Sequence, residues 1–176
     1  MRVISGKYKK RRLYHGTSKE TRPTQDRVKE AVFNRLGDLS NKAFLDLFAG
    51  TGSIGIEALS RGAAWVTFIE PQITDLTRNL DGIDCSNVTI YRKPFQSILR
   101  TKIVKSHIIY IDPPWNQPTL FDDALKHIFD FDILSPQGQL VIEYPSKTTF
   151  EWMTTLDNRI SRYQYGNTSI GIYTHE

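Results

Sequence analysis

The segment Asp112-Pro113-Pro114-Trp115 follows the apolar run His107–Ile111 and sets a carboxylate, two prolines and an indole side by side. A carboxylate at the exit of a strand can accept a hydrogen bond from an exocyclic amine. The Pro113 carbonyl can accept a second, because proline keeps its C=O while lacking N–H. Two acceptors in fixed directions hold an NH2 group and aim its lone pair at an electrophile. The prolines fix φ, so less entropy is lost when the segment closes on a substrate. Trp115 offers a face on which a base can stack, worth roughly 1–3 kcal/mol. Taken alone, the segment is also compatible with a proline-rich turn carrying a packed tryptophan.

A second group lies upstream. Gly50-x-Gly52-x-x-Gly55 stands between a strand-like and a helix-like segment, and Glu70 comes twenty residues after Gly50. This is the spacing of a dinucleotide-binding turn, whose acid accepts from ribose hydroxyls. NAD and S-adenosylmethionine both offer those hydroxyls. Asp46, four residues before Gly50, helps to separate them. A carboxylate there repels a pyrophosphate and suits a ligand carrying an ammonium and a sulfonium. S-adenosylmethionine is such a ligand. Asp46 can equally be a structural group that accepts from loop amides. A methyl sulfonium needs little activation, so an amine aimed at it reacts mainly through positioning.

Both groups need a scaffold that brings strand ends together. The periodicity predicts a helix over Gln25–Leu36, with Thr24 as N-cap, Val28, Ala31, Val32 and Leu36 on one face and Gly37 closing it. From Ala43 onward, strand-like runs (AFLDLF, WVTFIE, VTIY, HIIYI, QLVIEY) alternate with helical ones (IGIEALSRGA, Gln72–Leu80, Gln96–Arg100, Leu120–Phe129, Thr148–Leu156). That alternation predicts an α/β fold with a parallel sheet covered on both faces. RISRYQY and TSIGIY flank Gly166-Asn167 and predict an antiparallel hairpin. Arg2–Ile4 and Arg12–Tyr14 are short β candidates around Gly6. In such sheets ligands bind beyond the carboxyl ends of the strands, where the glycine loop, Glu70 and Asp112 all fall.

The 176 residues suit one domain, 1–176, with a basic N-terminal extension, 1–24, within it. Residues 1–35 carry eleven Lys/Arg against three acids, a net charge of +8, whereas the remainder carries −4. A basic arm on a mildly acidic body points to an anionic polymer such as nucleic acid, and otherwise to a solvated tail. The single cysteine, Cys85, excludes an internal disulfide and fits a reducing, cytoplasmic setting. No apolar run approaches the roughly 20 residues needed to cross a bilayer. The four histidines are scattered, without metal-ligand spacing, so no metal is expected.

DLFAGTGSIGIEALSRGA, then FIE, then IDPPW, resembles the Rossmann-type methyltransferases that use S-adenosylmethionine to methylate amines. MRVISGKYKKRRL, TRPTQDRVKEAVFN and YGNTSIGIY are similar to the RsmD family in particular, over nearly the whole chain. Those bacterial enzymes methylate the N2 amine of one guanine in 16S rRNA of the small ribosomal subunit. The resemblance implies a seven-stranded methyltransferase sheet, and 16S rRNA, free or in the subunit or its assembly intermediate, as partner. It implies that Asp46, Gly50 and Gly52 contact the methionine part of the cofactor and that Glu70 holds its ribose. Asp112, Pro113 and Trp115 would hold the guanine. Arg22, Thr24 and Arg27 would form part of the rim, and Arg2, Lys7, Lys9, Lys10, Arg11 and Arg12 would meet rRNA phosphates.

Two positions depart from the family. Trp115 stands where Tyr or Phe is usual, and DPPW also occurs in adenine-N6 methyltransferases, so a DNA or RNA adenine-N6 enzyme is the alternative. Many methyltransferases place an acid or amide after the third strand to receive the adenine amine. Here Arg92-Lys93-Pro94 occupies that place, and the contact falls to a backbone carbonyl or to Gln96. An NAD-binding protein and a non-enzymatic RNA-binding module are more distant readings.

Overall fold

Side chains alternate across each central strand, and this divides the core into two halves. The structure, a computed structural model, describes residues 1–15, 26–101, 105–156 and 159–176. Arg22 and Thr24 lie outside the described residues. After α1 (Asp26–Leu36) the chain alternates β1 (Ala43–Asp46), α2 (Ser53–Ser60), β2 (Trp65–Ile69), α3 (Thr74–Leu80), β3 (Val88–Tyr91), α4 (Phe95–Leu99), β4 (Ser106–Ile111), α5 (Thr119–Asp130), β5 (Leu134–Pro145) and α6 (Glu151–Thr155). It ends in the hairpin β6 (Ile160–Tyr165) and β7 (Thr168–Thr174).

The seven strands form one sheet in the order β3-β2-β1-β4-β5-β7-β6. Pairs from β3 to β5 are parallel, and β7 is antiparallel to both β5 and β6. Phe44, Ile108, Tyr110 and Val141 face the core shared with α1, α2 and the N-terminal residues. Leu45, Ile109, Ile111, Leu140 and Ile142 face the core built with α4, α5 and α6. Each fully buried side chain of this size contributes on the order of 1.5–3 kcal/mol. The predicted fold class and hairpin hold, and Gly166 turns the hairpin with φ 62°.

Residues 1–15 are part of this body rather than a solvated tail. Val3 and Leu13 are buried in the first core, and an Arg2–Arg12 bridge closes the expected small hairpin. Ile4 and Ser5 donate their N–H groups to the Glu57 carboxylate at 2.7 and 3.1 Å. Lys7 N–H donates to the Ser60 carbonyl at 2.7 Å. A Cβ on Gly6 would stand 1.7 Å from that same carbonyl, so the segment can lie this close only with glycine there.

The first helix differs from its predicted face. Val28, Lys29, Val32, Phe33 and Leu36 are buried, whereas Ala31 is half-buried. Lys29 is drawn inside by partners: its ammonium donates to the Arg2 carbonyl at 2.7 Å and to Ser53 Oγ at 3.2 Å. It also lies 3.7 Å from Glu57, with both side chains fully buried. Burial lowers the Lys29 pKa and the Glu57 charge opposes that shift. Glu57 also accepts from Arg61 Nε at 2.7 Å. This buried pair bolts the N-terminal segment and α1 to α2.

Candidate active site

Three adjacent strands end where the predicted groups meet. Asp46 on β1 is in register with Phe68 on β2 and with Tyr110 on β4. Glu70 and Asp112 each lie two residues beyond those partners. The glycine loop, Glu70 and the Asp112–Trp115 segment therefore share one edge of the sheet.

Asp46 continues the alternation set by Phe44, so its side chain points toward α2. It is buried and accepts the Gly55 N–H at 2.9 Å. Gly55 must lack a side chain, because a Cβ would sit 2.2 Å from the Phe68 ring. Gly52 has φ 77°, and its Cβ would lie 2.3 Å from Leu76. Burial pushes the Asp46 carboxyl up to about 7, the Glu70 charge adds to the rise, and the Gly55 amide opposes it. Glu70 accepts from Gly50 N–H at 2.8 Å and from Gln72 N–H at 2.9 Å. The two acids thus strap the loop from opposite sides, and Asp46 takes the loop-amide role that its sequence position left open.

This arrangement bears on which ligand the loop can take. Two of its amides, of Gly50 and Gly55, already donate to carboxylates. An anionic pyrophosphate would meet two acids where a phosphate cradle presents amides. The carboxylate acceptors fit a cationic ligand whose ribose hydroxyls donate.

On β4 the chain leaves the core at Ile111. Asp112 is half-buried, Pro113 buried and Pro114 exposed. Trp115 is half-buried and packs against the second core. Its indole N–H donates to Asp112 Oδ1 at 3.1 Å. Gln117 N–H donates to the Pro114 carbonyl at 2.9 Å and tightens the turn.

Around the expected adenine-side acceptors, Gln96 is held through its donor end and a nearby carbonyl is already bonded. Gln96 donates its Nε2 to Asp123 on α5 at 2.8 Å. The Pro94 carbonyl accepts from Ser97 Oγ at 2.8 Å.

The basic residues fall into two sets. Arg2 pairs with Asp26 at 3.1 Å, its carbonyl accepts from Lys29 beside Ser53, and it bridges Arg12. Arg27 is exposed on the first turn of α1. These three lie at the end of the molecule where α2 begins, the end of the glycine loop. Lys7 pairs with Asp84 at 3.7 Å, Arg11 bonds the Asp81 carbonyl, and Lys9 and Lys10 are exposed nearby. This second set runs from Ser60, at the other end of α2, where Lys7 N–H bonds, back to Val3, which pairs with Lys10 and Arg11.

Sequence reasoning did not find Asn79. It is buried on α3, accepts from Tyr14 N–H at 2.7 Å, and donates to the carbonyls of Tyr14 and Thr51 at 2.8 and 2.9 Å. It ties the N-terminal segment to the glycine loop. Its spacing from Leu76, three residues on the same helical face, is the one sequence signal for its burial. Tyr110 and Glu143, hydrogen-bonded to each other in the core beside Asp46, were likewise not singled out. Burial, then the Glu143 charge, raises the Tyr110 pKa well above its ordinary value. Among the described residues no group of His, Cys, Asp and Glu could hold a metal, and no helix is long and apolar enough to cross a membrane.

Comparison with known proteins places this geometry in a family. Residues 1–174 match the family described as Conserved hypothetical protein 95. YlbH of Bacillus subtilis is 34% identical over 182 aligned residues, covering 98% of each chain. Ribosomal RNA small subunit methyltransferase D of Escherichia coli strain K12 is 33% identical over 147 residues, 81% of this chain and 74% of that one. The solved structure of yhhF from Escherichia coli matches with a TM-score of 0.83 at 28% identity, over 100% of this chain and 98% of the other. The chain therefore belongs to the Conserved hypothetical protein 95 family, the RsmD/YlbH family of S-adenosylmethionine-dependent methyltransferases.

Proposed function

We propose that this protein transfers a methyl group from S-adenosylmethionine to the exocyclic N2 amine of a guanine in small-subunit ribosomal RNA. The observation that carries the reading is that Asp112, Pro113 and Trp115 follow directly on the end of β4, the strand paired with β1 beside the acid-flanked glycine loop. Kinship with a small-subunit rRNA methyltransferase supports the substrate class.

In this reading Glu70 takes the cofactor ribose, and Asp46, Gly50 and Gly52 line the methionine side. When bound, S-adenosylmethionine supplies a methyl group on a sulfonium and leaves as a thioether. The protein's own work is orientation. Asp112 and the Pro113 carbonyl accept the two amine N–H groups and turn the nitrogen lone pair toward the methyl carbon. As the N–C bond forms and the C–S bond breaks, the nitrogen must shed one proton, and the Asp112 carboxylate is the base in reach. A base stacked in its own RNA must first be turned out to reach Trp115. Arg2, Arg12 and Arg27 take phosphates near the target, with Arg22 and Thr24 on the same rim. Lys7, Lys9, Lys10 and Arg11 take phosphates farther away.

Asp112→Ala should abolish methyl transfer while S-adenosylmethionine still binds by calorimetry. Turnover comparable to wild type would end the clamp reading. Trp115 favours a second substrate, adenine N6. Mass spectrometry of digested rRNA from a deletion strain separates the two, through loss of N2-methylguanosine or of N6-methyladenosine.

A further inference from the structure

We propose that Trp115 positions the Asp112 carboxylate through its indole N–H, so that it is a positioning residue as well as a stacking surface. This deepens the methyl-transfer reading and rests on it.

The indole nitrogen lies 3.1 Å from Asp112 Oδ1, within the range of an N–H···O hydrogen bond. The bond spans Pro113 and Pro114, whose rings fix two of the intervening φ angles. The ring itself is anchored, because it is half-buried and packed against the second core beneath the sheet edge. A rigid donor on a rigid turn leaves the carboxylate one favoured rotation. That matters for an acceptor that must aim an amine lone pair, because catalysis here is orientation. An amine bonded to a freely rotating carboxylate would sample many directions. Phe offers the same kind of stacking face with no donor at all. A Tyr hydroxyl stands at the far tip of its ring, whereas the indole N–H stands on the ring edge. Tryptophan at this place therefore adds a function that stacking alone does not require.

The other two indoles give internal references. Trp65 Nε1 donates to Thr89 Oγ1 at 3.0 Å. Trp152 Nε1 is buried with no hydrogen-bond partner among the described residues. Two of the three N–H groups thus meet a carboxylate and a hydroxyl, and the third has no partner among the described residues.

Two measurements test the proposal. The first uses the unliganded protein and nitrogen-15 NMR of the indole groups. The Trp115 N–H resonance should lie farthest downfield, and Asp112→Ala should move it upfield while the Trp65 and Trp152 signals stay in place. A Trp115 resonance that ignores Asp112→Ala overturns the proposal, whatever the enzyme's substrate. The second is kinetic, with 3-benzothienylalanine in place of Trp115, which keeps ring size and face and replaces only the N–H by sulfur. With small-subunit rRNA as substrate, kcat should fall about tenfold or more, as loss of one charge-assisted hydrogen bond implies. KM for the RNA should change less than about twofold, because the stacking face is kept. Trp115→Phe should show the same fall in kcat. Unchanged kcat in both variants, with only KM raised in Trp115→Phe, overturns the proposal and leaves stacking as the whole role. Absence of methyl transfer by the wild-type protein on any RNA would instead overturn the functional reading, and the NMR result would stand apart from it.

Discussion

Asp46 shows how one residue can link ligand charge to pH. Its folded-state pKa of about 7 stands above the ordinary 3.8, because burial disfavours the anion. An acid raised in this way holds its proton in the folded state at pH values where the unfolded chain has released it. Stability from this group therefore falls as pH rises from about 3.8 to about 7 and is level above that. Asp46→Asn should remove that slope, as read from urea unfolding across the window. A cationic ligand binds the ionised form. Its affinity should then rise about eightfold between pH 6 and pH 7.5, following the ionised fraction. Calorimetry with S-adenosylmethionine in buffers of different ionisation enthalpy would also detect the released proton. A flat affinity over that range would mean that Asp46 only braces the loop. The candidate-site residues that sequence made legible, Asp46, Gly50, Gly52, Glu70 and Asp112, are those whose chemistry allows few substitutes: glycines at positive φ and acids at strand ends. The Trp115–Asp112 bond was not legible, because a residue type announces a ring face but not the direction of its N–H.

At the scale of elements, most of the scaffold could be read from apolar periodicity, and the failures share a cause. Lys29 reads as a solvent-facing lysine on a predicted helix, yet it is fully buried because Glu57, the Arg2 carbonyl and Ser53 Oγ await it. Asn79 is hidden for the same reason, since its partners Tyr14 and Thr51 are remote in sequence. Periodicity records how a side chain meets the sheet, not which polar groups from other segments arrive beside it. The Lys29–Glu57 bolt makes a clear prediction. Glu57→Ala would strand a buried ammonium and leave the Ile4 and Ser5 amides without their acceptor. Stability should fall by about 3–5 kcal/mol, the usual cost of breaking a buried pair from one side. Hydrogen exchange at Ile4 and Ser5 should lose protection. Replacing both partners, Lys29→Met with Glu57→Leu, should recover much of the stability, because an apolar pair removes the uncompensated charge. The two amides should stay unprotected even so. Full protection in either variant would mean that the N-terminal segment is held by Gly6, Ser60 and the core contacts of Val3 and Leu13 without the bolt.

At the scale of the whole molecule, the charge asymmetry in the sequence becomes a question of where the cations stand. Counting them gives a basic N-terminal region, but folding sends residues 1–15 along α2 and back, so their cations are spread along that helix. Arg2, Arg12 and Arg27 stand near the start of α2, with the glycine loop. Lys7 and Lys9 stand by Ser60 at its other end, and Lys10 and Arg11 lie between, paired with Val3. Composition could not separate them, because the separation comes from the Gly6 approach to Ser60 and the Tyr14 return to Asn79. The two sets should differ in what RNA they feel. With a short stem-loop that carries the target base, Arg12→Gln with Arg27→Gln should reduce the slope of log affinity against log salt by up to about 1.5, the loss of two phosphate contacts. Lys9→Gln with Lys10→Asn should leave that slope nearly unchanged. With an assembled small subunit, whose surface extends past the target, both pairs should lower it. Equal effects of both pairs on the stem-loop would show that the RNA path runs along α2 from the start. No effect of either pair on either substrate would place the phosphate-binding surface elsewhere on the molecule.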